Sequence, residues 1–154
     1  MRASSIAMAV CMMSFSALAS CADPATNSGT EDSAAVQAEL ARQTGLPESE
    51  LAELLKDCEA NQTSMTFCAR RDQVAAEMKL DRVISDKIKQ QPECRTAIEQ
   101  RLTKWRSGRD KGCERSAANE YGKGSMKPMA QAMCLKAETE RMTARAKRTK
   151  GCKL

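Results

Sequence analysis

Apolar residues recur every three or four positions along most of the chain, and no stretch alternates apolar with polar residues for long enough to make a strand. That periodicity predicts helices. The clearest run is Cys68, Ala76, Leu80, Ile84 and Ile88, spaced in multiples of four, with Val74 and Met78 beside it. It predicts a helix from about Ser64, read as its N-cap, to about Gln90, ended by Pro92. A second helix is predicted from about Glu93, carrying Cys94, Ile98, Leu102, Trp105 and Cys113 on one face up to about Gly112 and the polar loop that follows. A third starts after Pro128, with Met129, Met133, Cys134, Ala137 and Ala144 inward, and gives way to a basic tail around Lys147. Ahead of these lie a weak pattern from Val36 to Gly45 and a short amphipathic one after Pro47, in which Leu46, Leu51, Leu54, Leu55 and Cys58 recur. The expected fold class is all-α: a small three-helix bundle stapled by disulfides and preceded by one or two short helices that cap it.

The N-terminus belongs to another category. Residues 1–20 hold one cation, Arg2, and then an uncharged, mainly apolar run that is short for a membrane span and reads as an export signal. It closes in Leu18-Ala19-Ser20-Cys21, which resembles the lipobox of bacterial lipoproteins. The resemblance implies cleavage before Cys21 and acylation of its sulfur and amine, so that several acyl chains anchor the protein in a lipid bilayer. The plainer reading is a periplasmic or secreted protein in which Cys21 is incidental. Ala22–Ala35 is small, polar and acidic, with Pro24 and Gly29, as a flexible tether would be. The expected organisation is a signal over 1–20, tether and weak helix over 21–45, and a helical domain over 46–154, held on the periplasmic side of an envelope membrane.

Of the 154 residues, eight are cysteine and none is histidine. Without histidine there is no Ser-His or Cys-His nucleophile pair, no usual general base and no common zinc ligand. Nothing in the spacing pairs two carboxylates, so an enzyme is not expected and no cofactor is implied. Cys11 leaves with the signal and Cys21 takes the lipid, which leaves Cys58, Cys68, Cys94, Cys113, Cys134 and Cys152. No two of them stand as C-x-x-C, so no metal site is read from them; an even number in an oxidising compartment predicts three disulfides. An up-down-up bundle gathers Cys58, Cys68, Cys113 and Cys134 at one end, and Cys94 and Cys152 at the other, where they should bond each other. Spacing leaves the pairing among the four open, and Cys58–Cys134 with Cys68–Cys113 is the arrangement favoured. Aromatic residues are only 3% of the chain, and the methionines of the helical domain are expected to fill the core in their place.

Charge divides the mature chain. Residues 21–60 hold nine acids against Arg42 and Lys56, a net −7, whereas residues 61–154 hold 22 Lys and Arg against 11 acids, a net +11. Arg141, Arg145, Lys147, Arg148, Lys150 and Lys153 form a basic run that is either a solvated helix end or a surface for an anionic partner. A nucleic-acid partner is not expected, because export separates the domain from it and a single tyrosine interleaves the charge.

From Asp57 to about Met142 the residues resemble the LprI-like lysozyme-inhibitor family. The carriers are Asp57-Cys58, Cys68-Ala69, Leu80-Asp81, Trp105-x-x-x-Arg109-Asp110-x-x-Cys113, Gly124-Ser125-x-x-Pro128-Met129, and Cys134 with Thr139. Asp81 stands where asparagine is usual in the family, Ile84 where tyrosine is, and Met142, next to Arg141, where arginine is. Cys94 and Cys152 are additional to the usual four. The resemblance implies a helical bundle and, for some members, lysozyme inhibition.

Trp105 shares the helical phase of Ile98 and Leu102, which makes it a core anchor, and Arg109 and Asp110 a structural ion pair one turn on. The partner-binding candidates lie in Ala118–Lys127, where Gly122 and Gly124 bracket Lys123 between Tyr121 and Ser125. Lysozyme-type muramidases set two carboxylates across a cleft. A projecting ammonium with hydroxyl donors at its sides complements such a cleft; the alternative is an ordinary mobile connection. Two functions follow: a lipid-anchored envelope protein that inhibits lysozyme or another peptidoglycan hydrolase by steric occlusion, or a non-catalytic envelope protein that holds an anionic polymer or another protein through its basic face.

Overall fold

The computed structural model describes residues 28–154. They form five α-helices: α1 (Ser28–Thr44), α2 (Glu48–Lys56), α3 (Gln62–Gln90), α4 (Arg95–Tyr121) and α5 (Lys127–Arg148), with one 3-10 turn at Pro92–Cys94. There is no strand among the described residues, so the all-α expectation of three long helices after two short ones holds. None of these helices is long and apolar enough to cross a membrane. Residues 1–27, with the signal and the Cys21 motif, lie outside the described residues.

Each boundary has a local cause. Asn61, not Ser64, is the N-cap of α3, its side chain accepting from the N–H groups of Thr63 (2.9 Å) and Ser64 (3.0 Å); Ser64 is buried instead. Pro92 turns the chain into α4. Helix α4 runs on through Gly108 and Gly112 to Tyr121, well past its expected end. Gly122, at φ 57°, closes it with an N–H bond to the Ala118 carbonyl (2.8 Å), and Pro128 sits in the first turn of α5.

Helix α5 returns parallel to α3 and packs along both α3 and α4. The shared direction shows in the pairs: Lys136 Nζ meets Asp72 at 3.7 Å, and further along both helices Lys87 Nζ donates to the Thr149 carbonyl at 2.6 Å, serving the C-terminal end of α5. One core cluster, Leu80, Ile84, Ile88, Cys94, Ile98, Leu102, Met142 and Ala146, fills the end where α3 turns into α4. The second, Val36, Leu40, Leu51 and Val74, with half-buried Phe67 and Met78, joins α1 and α2 to the first half of α3. So the weak helix before Gly45 is part of the packed unit, and α1 already includes Ser28–Ala35, which composition assigns to the tether.

The buried stripe of α5 differs from the expected one: Ala132, Leu135, Thr139, Met142, Thr143 and Ala146 face inward. Met133 is 56% exposed, and Ala144 is exposed as well. The two threonines hide this phase in the sequence. Each buried hydroxyl bonds a carbonyl of its own helix, Thr139 that of Leu135 (2.6 Å) and Thr143 that of Thr139 (2.8 Å).

Cys94 is bonded to Cys152, as the up-down-up topology requires. The other two bridges are Cys58–Cys68 and Cys113–Cys134, not Cys58–Cys134 and Cys68–Cys113. The physical reason is local reach. Cys58 lies just ahead of the α3 N-terminus, and the chain folds back so that its Cα is 5.8 Å from that of Cys68; α4 and α5 bring Cys113 and Cys134 to 5.5 Å.

Candidate functional site

Two constellations hold the residues singled out by sequence. The first is centred on Arg109, whose side chain is only 6% exposed. Its Nη1 donates to the Thr139 hydroxyl on α5 (2.7 Å), its Nε to Asp110 (2.8 Å), and its Nη2 lies 3.1 Å from Glu77 on α3. The guanidinium also stands over the Trp105 ring, 5.0 Å from the centroid. Thr139 is fully buried, so one planar cation joins all three long helices where the core is otherwise built of small residues. Trp105 is half-buried against the Leu80–Ile98 cluster. This group ties α3, α4 and α5 together. Glu77 is the member that sequence reading missed, because nothing in the local pattern of α3 points to a partner on α4.

The residues that depart from the family pattern fit this frame. Ile84 and Met142 are buried in the core cluster. Asp81 pairs with Arg106, and Arg141 pairs with Glu138 on the outside of α5.

The second constellation is the connection between α4 and α5. Helix α4 takes in Ala118–Tyr121, so the loop shrinks to five residues, 122–126. The turn is tightly bonded: the Gly124 N–H donates to the Tyr121 carbonyl (2.8 Å) and the Lys127 N–H to that of Gly124 (3.1 Å). A Cβ on Gly124 would lie 2.9 Å from the Tyr121 carbonyl oxygen, so only glycine fits without a shift. The Cys113–Cys134 bridge braces the two helices about 12 Å below the turn. Lys123 and Ser125 are exposed and Tyr121 is half-buried. Lys123 has no carboxylate within salt-bridge distance among the described residues. A hydrogen bond to the neighbouring Glu120 carboxylate, with its negative charge, raises the Tyr121 phenol above its ordinary pKa.

The same end of the molecule carries the acidic segment. Leu40, Gln43 and Thr44 of α1 line a cleft with Pro128 and Gln131 of α5, and Cys58 lines another with Met129 and Met133. Glu48, Glu50 and Glu59 are exposed around α2, while Glu53 pairs with Lys56 at 3.0 Å. The basic run lies away from it, at and beyond the C-terminal end of α5, where its charge also suits the helix dipole. Among the described residues no three His, Cys, Asp or Glu side chains gather as a metal site.

A protein-family model, Lysozyme inhibitor LprI, matches residues 56–145, from the end of α2 to the last turns of α5. No curated protein and no solved structure matches the chain.

Proposed function

The chain belongs to the LprI lysozyme-inhibitor family, and on that premise we propose that it inhibits a lysozyme or related peptidoglycan hydrolase by occlusion, with the α4–α5 turn as the inserted element. The family is one of inhibitors, so binding rather than turnover is the work of such a domain. Its three disulfides, together with the family, point to a place outside the cytoplasm. The single observation that carries the reading is a short turn closed by its own backbone bonds and offering the Lys123 ammonium, which has no carboxylate within salt-bridge distance among the described residues.

A muramidase cleft holds two carboxylates of separate roles. An ammonium delivered between them pairs with charge that the enzyme has already desolvated, and the Tyr121 and Ser125 hydroxyls are donors for the remaining carboxylate and carbonyl oxygens. A turn fixed before binding loses little entropy on binding. The cystine bridge below it and the glycine within it are the features that fix it.

The test measures inhibition of a panel of muramidases by the folded protein, alongside thermal melts. Lys123→Ala and Tyr121→Ala should each weaken affinity, for Lys123 by about 2 to 5 kcal/mol if it meets a buried carboxylate, and change stability by no more than about 0.5 kcal/mol. If no lysozyme, host or bacterial, is inhibited at micromolar concentration, the reading falls. Intact affinity in both variants would move the site to the acidic α2 segment.

Lipid attachment through Cys21 is part of the same proposal, supported by the Leu18–Cys21 motif. Cys21→Ala should shift the protein from the membrane fraction to the soluble fraction; wild type that already fractionates as soluble would overturn it.

A further inference from the structure

The outer face of α4 carries a feature unrelated to either constellation. Arg101, Lys104, Gly108, Lys111 and Arg115 follow one another at intervals of three, four, three and four residues, and all five are exposed. At 100° per residue they fall within about 80° of arc, on the side of α4 turned away from Ile98, Leu102 and Cys113. Four cations therefore stand in a row about 21 Å long. Glu99, Asp110 and Glu114 fall on the other flank of the helix, and none of the four cations has a carboxylate within salt-bridge distance among the described residues.

The row is continued and shaped by its neighbours. Arg101 Nη1 donates to the Cys152 carbonyl at 2.6 Å, which fixes the C-terminal segment, with exposed Lys150 and Lys153, beside that end of the row. In the middle, between Lys104 and Lys111, the side chains are the hydroxyl of Ser107 and nothing at Gly108, where a Cβ would meet no atom within 4 Å. A chain laid along the row thus reaches the helix surface between two pairs of cations.

Such an array costs helix stability by like-charge repulsion, and beyond the Arg101 bond to the Cys152 carbonyl it makes no ion pair that offsets this among the described residues. We propose that it binds a linear, phosphate-bearing anionic polymer lying along α4. A row one side chain wide suits a string of phosphates; a flat bilayer pressed on it would also meet the flanking Glu114. The site goes beyond the inhibitor reading, since it is independent of the α4–α5 turn and its sign is wrong for a basic lysozyme. Its effect would be to hold the domain at an anionic polymer of the envelope.

The test uses the full chain and long-chain inorganic polyphosphate as probe, with no lysozyme present. Four contacts to a flexible polyanion give a salt slope of about −2.8, so binding should weaken about 50-fold between 50 and 200 mM salt. The triple variant Lys104→Gln, Lys111→Gln, Arg115→Gln should lose about 50-fold in affinity near 150 mM salt, with the slope falling to about −0.7. A second triple, Lys79→Gln, Arg145→Gln, Lys147→Gln, removes equal charge elsewhere and should lose much less. Comparable losses in both would show a net-charge effect and overturn the site, as would wild type that does not bind polyphosphate. Loss confined to anionic phosphatidylglycerol vesicles would overturn it in favour of a membrane surface. Since all six side chains are exposed, circular dichroism should show unchanged folding in both triples.

Discussion

At the scale of single residues, one side chain that is not apolar ties the three long helices together. Arg109 is 6% exposed and bonded to groups on three helices. Arg109→Ala should cost about 2 to 3 kcal/mol, less than the roughly 3 to 5 kcal/mol of a fully buried pair, because Glu77 and Asp110 are partly exposed and keep some water when the guanidinium is gone. Thr139→Val keeps the shape but takes away an acceptor from a buried cation, and should cost about 1.5 to 3 kcal/mol; thermal melts of both variants check this. At the surface, Glu39 is held down to about 2 by hydrogen bonds from Arg42 and Gln43. A depressed carboxylate adds stability above its unfolded pKa, so this contribution is present above about pH 4.5 and is lost as the pH falls towards 2. An NMR titration should find Glu39 ionised well below pH 4 in wild type, and shifted back towards 4.5 in Arg42→Gln. The Arg109–Asp110 contact was legible in the sequence as neighbours on one helix; the bonds to Glu77 and Thr139 were not, since a bond between helices leaves no trace in the spacing within either one.

At the scale of elements, α4 is the exception. It buries only Ile98, Leu102, Cys113 and Ala117 along its length, too little to hold 27 residues on the bundle by apolar contact alone. Two disulfides compensate, Cys94–Cys152 just before its first turn and Cys113–Cys134 beyond its midpoint. In the loop-entropy account their closures of 58 and 21 residues contribute about 4 and about 3 kcal/mol. Reduction should therefore release α4 first: hydrogen exchange would show its amides losing protection while those of α3 around Leu80 keep theirs, and simultaneous loss across all three helices would contradict this. The same poverty explains what the sequence concealed. α3 was readable because leucine and isoleucine mark its phase, whereas α4 continues through two glycines with little apolar signal. The inward face of α5 carries threonine and alanine while Met133 stands outside, so hydrophobicity pointed to the wrong stripe. The bridge pairing depended on chain reach around Cys58 that helix periodicity does not encode. The turn was legible as composition, but its length of five residues and the backbone bonds of Gly122 and Gly124 that close it were not.

At the scale of the whole molecule, the division of charge seen along the chain becomes a division in space. A region of net +11 would repel a basic hydrolase at long range, which on sequence alone argues against Lys123 as the point of contact. Geometry changes the balance, because the α1–α2 segment packs against the first half of α3 and reaches the first turns of α5, and so shares its end of the bundle with the Lys123 turn. Exposed Glu48, Glu50 and Glu59 can attract a basic partner to that end while the cations of α4 face elsewhere. Steering and insertion then belong to different residues and to different rate constants. Charges at the rim of an interface act mainly on the association rate and its salt dependence, and a charge buried within it acts on dissociation. Against a basic lysozyme, Glu48→Gln, Glu50→Gln, Glu59→Gln together should slow association about tenfold at low salt and leave dissociation nearly unchanged. Lys123→Ala should do the reverse. Association of wild type should slow as salt is added, since attraction is being screened. If it quickens instead, the partner is approaching the basic side of the molecule, and the turn is not where it binds.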